Sequence, residues 1–135
     1  MDKLQYKIYH ENKTHTPDDF PYNTYLCSIP LDFHSINLHW HDEVEIIVIK
    51  KGIGIVSVDL TTYSVSAGDI IFVLPGQLHS ISQKDNEIME YENILFKSSL
   101  LKSSGYDLCS DKFIQPLFSG SLNICPVINN QTPYY

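Results

Sequence analysis

Arginine is absent from this chain of 135 residues: all nine basic side chains are lysines, set against sixteen acidic ones for a formal charge of -7. Recognition of a phosphate backbone needs clustered positive charge, and the guanidinium is the best bidentate reader of guanine, so this chain alone is expected to be a poor nucleic-acid binder. Cysteine is scarce, since Cys27, Cys109 and Cys125 are odd in number, far apart and form no C-x-x-C. Neither a disulfide framework nor a thiolate zinc site follows, and the three are expected to be small apolar fillers in a reducing, cytoplasmic setting. Long apolar runs are missing too: Ile46-Ile47-Val48-Ile49 is far short of a membrane span, and MDKLQYKIYHENK lacks the apolar stretch of a secretion signal. No membrane association is expected. Internal repeats and low-complexity blocks are also lacking.

What is present is material for one core, because 43% of the residues are apolar and the length is that of a single domain. Residues 1–24 are polar, with Pro17, Asp18, Asp19 and Pro21 together, and read as an irregular arm. From Tyr25 onward, short β-branched runs are broken by turn residues every eight to twelve positions, the pattern of an antiparallel barrel or sandwich. The runs are Tyr25–Ile29, Ile36–Trp40, Val44–Ile49, Ile53–Val58, Thr62–Val65, Ile70–Leu74, His79–Ser82 and Glu92–Phe96, with Lys51-Gly52 among the breaks. The fold class is therefore all-β, with a core over 25–98 and a post-barrel segment over 99–135. That segment is expected to hold short helical turns around Ser98–Lys102 and Asp111–Phe118, Asp111 capping and Pro116 limiting length, then an extended piece at Ile124–Ile128 and a ragged end.

One constellation carries chemistry. His39 and His41 are two apart, so on an extended strand both leave the same face, and a turn or bulge near Asp42-Glu43 brings Glu45 to them. His79 lies just past a Pro75-Gly76 turn. Three imidazoles and a carboxylate from facing strands make an N3O site for a divalent first-row ion, with positions left for water or a ligand.

The spacing of His39, His41, Glu45 and Gly52 is similar to the first cupin motif, and that of Gly68, Gly76 and His79 to the second, except that Pro75 directly precedes Gly76 instead of standing one residue earlier. With Ala67-Gly68-Asp69 before it and Ile94-Leu95-Phe96-Lys97-Ser98-Ser99-Leu100-Leu101 after it, the stretch from residue 33 to 101 resembles the N-terminal sensor domain of AraC/XylS-type transcriptional regulators. The resemblance implies a cupin double-stranded β-helix, or jelly roll, whose cavity binds a small effector such as a sugar or related metabolite. It implies no catalysis, a homodimer, and DNA contact only through a helix-turn-helix domain that would follow Tyr135 and is absent from this chain. Expected cavity residues are His39, His41, Glu45 and His79, joined by Phe33, Ile47 and Phe72. The first four are also the candidate ligands for a zinc, nickel, manganese or iron ion. The competing readings are a free-standing metal cupin enzyme of isomerase or dioxygenase type, and a carbohydrate- or small-acid-binding module.

Beside these, Glu43 and Asp42 read as solvated turn residues, Trp40 as a packing residue on the face opposite the two histidines, and His10, His15 and His34 as surface or loop residues without a partner. Gly52, Gly68 and Gly76 read as turn positions needing positive φ. Ser35 and Ser80 lack any nucleophile-elbow surroundings, which excludes a serine hydrolase.

Overall fold

The computed structural model describes residues 1–16, 22–101 and 108–135. Pro17, Asp18, Asp19 and Pro21 of the expected arm, and Lys102, lie outside the described residues. Eight strands follow in order: β1 (Tyr22–Ile29), β2 (Ser35–His39), β3 (Val44–Val58), β4 (Thr61–Ser66), β5 (Ile70–Val73), β6 (His79–Gln83), β7 (Met89–Phe96) and β8 (Val127–Ile128). All strand pairs are antiparallel, and one layer runs β1-β7-β3-β5-β8. In the other layer β2 lies beside β6, while β6 and β4 both pair with the C-terminal part of β3. This is the jelly roll of cupin proteins, with few and short helices.

The expected break at Lys51-Gly52 is not there. Val44–Val58 is one strand of 15 residues, whose first half pairs with β7 and β5 and whose second half pairs with β4 and β6. A bulge between Ile49 and Lys51 together with Gly52 at φ 78° turns the strand from one layer into the other without ending it. Only glycine fits at the turn, because a Cβ there would run into the Ile88 carbonyl.

Alternation along the strands fixes the interior. Ile47 and Ile49 of β3, Ile71 and Val73 of β5, and Met89 and Tyr91 of β7 all point inward with Ile29, Val56 and Ile81. Each such side chain stabilises the fold by roughly 1.5–3 kcal/mol through its burial. Of the run Ile46–Ile49, Ile46 and Val48 alternate with the inward Ile47 and Ile49 and are half-buried on the other side of the sheet.

One helical feature departs from expectation. Lys3–Ile8 of the arm forms a short helix, α1, because Asp2 accepts from the amides of Leu4 and Gln5 while Gln5 reaches back to the Asp2 amide, a complete capping box. After β7 come a 3-10 turn (Ser98–Leu101), a π-helical turn (Ser110–Ile114) and α2 (Gln115–Phe118). Pro116 stands where the π-helical turn passes into α2, and the helical run ends two residues later at Phe118, in line with a proline that limits length. The end of the chain is ordered by turns, with the Tyr135 hydroxyl donating to the Gly68 carbonyl. Among the described residues no helix is long and apolar enough to cross a membrane.

Candidate metal centre

His39 closes β2 and His79 opens β6, and the register of that pair sets them directly opposite each other. His41 follows in the connection to β3, and Glu45 enters β3 on the inward face, two residues before Ile47. Three residues close in sequence and one 34 positions beyond Glu45 thus meet at one end of the barrel, with donor atoms all within 4.8 Å of one another. Glu45 is 3% exposed and His79 1%.

The hydrogen bonds assign the ring nitrogens. The Nδ1 atoms of His39, His41 and His79 lie 2.7, 3.1 and 2.9 Å from the backbone carbonyls of Asn37, Glu43 and Gln77. A carbonyl only accepts, so each Nδ1 carries a proton and each Nε2 faces inward. Metal-binding histidines are held in this way, with the far N–H on a carbonyl and the near lone pair free. The Nε2 atoms of His41 and His79 are each 2.9 Å from the same Glu45 oxygen, Oε2. A nitrogen lone pair and a carboxylate oxygen do not attract, so a proton or a metal cation must stand between them. Neighbouring donors around a six-coordinate ion with bonds of about 2.1 Å stand about 3 Å apart, which is the spacing of the His41–Glu45 and His79–Glu45 pairs.

The electrostatics are those of a buried, compensated cluster. Burial alone would raise the Glu45 carboxyl, but hydrogen bonds from His41 and His79, and their charges, outweigh it and hold Glu45 far below the usual carboxylate range. Burial likewise opposes charge on His41, yet Glu45, Glu43 and Glu11 together hold it above its ordinary value. At His39 burial wins, aided by the charge of His79, and the imidazole is held below its ordinary value. His39 is therefore readier than His41 to offer a lone pair at neutral pH.

The arm reaches this cluster. Tyr6 stacks on Trp40 with ring centroids 4.7 Å apart, and its carbonyl accepts from the indole N–H. Trp40 then exchanges backbone hydrogen bonds with Tyr9 and Glu11. His15, 10% exposed at the side chain, has Nε2 2.6 Å from Glu11 Oε2 and Nδ1 3.1 Å from the Tyr25 hydroxyl, and its ring stands edge-on to His41. Glu43 is buried against His41, with the Thr16 hydroxyl donating to its carboxylate. The expectations of a solvated Glu43 and a partnerless His15 are thereby corrected. The arm packed against the mouth shields both from most of the solvent. His10 also has a partner, lying 4.3 Å from the Trp40 ring, and Trp40 is the packing residue it was read to be.

Of the apolar cavity residues, Ile47 is fully buried on the face of Glu45. Phe33 is 49% exposed in the turn between β1 and β2. Phe72 alternates with the inward Ile71 and Val73, so it faces outward and its amide is tied to Pro126. Neither phenylalanine joins the centre. Sequence reading missed Glu11 and His15, whose separation of four in a polar stretch was the available signal. It also missed Tyr25, Tyr91 and Asn93 of the inward face. The Tyr91 hydroxyl and Asn93 Oδ1 are buried without a hydrogen bond, the Cys27 thiol being a poor partner beside Tyr91.

A two-layer antiparallel barrel with three imidazoles and a carboxylate converging at its end is a cupin-type domain, and solved structures bear out the class. A cupin protein from Bacteroides fragilis superposes with a TM-score of 0.54 at 18% identity, over 80% of this chain and 94% of that one. A predicted oxalate decarboxylase from Thermotoga maritima gives 0.50 at 28% identity, over 55% of this chain and 64% of that one. Residues 25–125 match the AraC-like ligand binding domain, and the chain belongs to that family. It is 31% identical over 78 residues to YdeC of Bacillus subtilis (strain 168), an uncharacterized HTH-type transcriptional regulator, spanning 57% of this chain and 27% of that protein's length.

Proposed function

We propose that this domain is the sensory part of an AraC-type transcriptional regulator, binding a small polar molecule at the centre formed by His39, His41, Glu45 and His79. The observation that carries the reading is the donor arrangement, in which the backbone-anchored rings of His41 and His79 set their Nε2 atoms on one Glu45 oxygen and the His39 ring joins them within 4.8 Å. A zinc, nickel, manganese or iron ion fits these donors, and when bound it would supply a Lewis-acidic anchor for effector oxygen atoms. The chain's own residues provide the rest of the site. A cleft of about 420 Å³, within the usual range for small ligands, is lined by Lys13 and Thr14 of the arm, by His41 and Glu43, and by Lys97 and Ser98 after β7. Its polar walls suit a sugar, a small acid or a related metabolite.

Those walls belong to the arm before the barrel and to the segment leaving it. An effector that binds one arrangement of these segments better than another shifts the population toward it, which is how occupancy would reach a following domain. Helix-turn-helix DNA contact would come from residues outside this chain, in keeping with its lack of arginine. The outward, half-buried Ile46, Val48, Phe72 and Ile94 offer a surface for a homodimer.

A metal-dependent cupin enzyme is the second reading, favoured by the complete set of four donors. One experiment separates the two. Elemental analysis of protein purified without a chelating tag, followed by Zn²⁺ titration, is expected to show one bound ion, and His79→Ala to weaken binding by roughly 100-fold or more with little loss in Tm. Sugars and small acids are then added to the loaded protein. Saturable stabilisation without turnover supports the sensor, turnover supports the enzyme, and wild-type affinity in His79→Ala removes this site from either.

A further inference from the structure

Among the described residues of the arm, Glu11 brings a carboxylate to the inward side of the cluster. Its Oε2 lies 3.8 Å from His39 Nε2, the ring nitrogen that faces the centre. The same oxygen is 2.6 Å from His15 Nε2, and His15 is in turn fixed by Tyr25 and packed edge-on to His41, so the carboxylate is aimed by a buried support. Glu43 is placed differently: it is turned to Thr16 and to the Nδ1 side of His41, away from the converging Nε2 atoms. Two clefts, of about 420 and 350 Å³, flank the arm, and Glu11 lines both.

Charge gives the placement a meaning. Three neutral imidazoles and Glu45 leave a divalent cation only half compensated in a site where Glu45 and His79 are almost fully buried. A second carboxylate on the Nε2 side supplies the missing negative charge. A separation of 3.8 Å is one rotamer adjustment, or one bridging water, from engagement.

We propose that Glu11 is a further carboxylate of the cation centre, delivered by the arm and positioned by His15, so that cation binding and docking of the arm strengthen each other. The inference rests on the cation reading of the four-residue site. By linkage, the factor by which the docked arm tightens the cation equals the factor by which the cation tightens the arm. The arm holds Lys13, whose ammonium sits over the Tyr25 ring while the residue remains exposed, so trypsin cleavage there reports release of the arm.

The test is a Zn²⁺ titration by calorimetry of wild type, Glu11→Gln and His79→Ala, paired with the trypsin rate at Lys13 with and without Zn²⁺. Wild type is expected to bind one ion and to be cut several-fold more slowly when loaded. Glu11→Gln is expected to bind about 10-fold more weakly, the scale of a supporting ligand, and to lose the effect of Zn²⁺ on cleavage. A merely structural Glu11 would change the zinc-free cleavage rate and leave the zinc affinity alone, which overturns the proposal. Equal affinity in wild type and Glu11→Gln, or cleavage indifferent to Zn²⁺, overturns it as well. If wild type binds no Zn²⁺ at all, the cation reading falls and takes this proposal with it, an outcome distinct from a wild type that binds while Glu11→Gln binds equally.

Discussion

The rings of Tyr6 and Trp40 lie nearly parallel, 8° apart, at 4.7 Å between centroids. Tyr6 comes from α1 and Trp40 stands between His39 and His41, so this stack fastens the arm to the backbone that carries two of the four donors. Trp40 is the single tryptophan of the chain, and its fluorescence reports the stack without a label.

Tyr6→Ala is expected to shift Trp40 emission to the red and to lower stability by roughly 1–2 kcal/mol, the worth of an aromatic pair plus lost burial. Tyr6→Phe keeps the stack but removes the hydroxyl donated to the Gly76 carbonyl, and should lose about 1 kcal/mol with little change in emission. Thermal melts and emission spectra of the two variants check this. Unchanged spectra in Tyr6→Ala would mean the arm is not docked on Trp40 in solution.

Glu45→Gln tests the charge of the buried cluster in EDTA-treated protein. Glu45 is held below its ordinary 4.5, so its stabilisation is present above about that pH and is lost as pH falls through the lowered value. His41 is held above its ordinary 6.5, so its share is present below about that pH and is lost as pH rises through the raised value. Wild type should therefore exceed Glu45→Gln most between about pH 4.5 and 6.5, by on the order of 2 kcal/mol. Melts recorded across pH read the difference directly, and a gap independent of pH would contradict the ion-pair account.

Two glycine variants separate strain from collision. Gly120 has φ 81° and open space where an added methyl would stand, so Gly120→Ala should cost only about 1 kcal/mol. Gly52→Ala adds a clash with the Ile88 carbonyl to a similar φ. A loss of roughly 3 kcal/mol or more, near 10 °C in Tm, is expected from calorimetry. Equal losses would mean that β3 turns between the layers without needing that close approach.

Burial pushes the Cys27 thiol up, Asp32 and Glu45 add to this, and the Tyr91 hydroxyl and Lys13 only partly oppose it. Since the thiolate is the nucleophile, iodoacetamide should label Cys27 at least about 10-fold more slowly than the exposed Cys109 and Cys125. Peptide mapping over time gives the order of labelling, and early modification of Cys27 would show that the inward face of β1 opens readily.

The fold was legible because its signal is local: alternation with turn residues marks β1, β2 and β4 to β7 within a residue or a few at each end. The convergence of His39, His41, Glu45 and His79 was legible for a related reason, since a histidine pair two apart and a Pro-Gly turn before His79 carry their geometry with them. Lys51-Gly52 misled because a glycine that redirects a strand looks the same as one that ends it. Phe72 misled because a run apolar on both faces carries no alternation to choose between them. The separation of four pairs Glu11 with His15, but nothing local says that the arm folds back over the mouth and makes them site residues. Only the tertiary contacts of Tyr6, Trp40 and His15 reveal that.

Because β3 belongs to both layers, the centre cannot form in halves. His39 and His79 come from one layer and Glu45 from the other, joined across His41. A cation seated there would weld the two layers into a single cooperative unit, so partial opening would forfeit the ion altogether. Ligand at 100 times its Kd adds about 2.7 kcal/mol to the native state alone, and for this barrel that increment would fall on global unfolding. Chelation would then act on the whole molecule at once, making the metal content of a preparation part of the definition of its folding equilibrium.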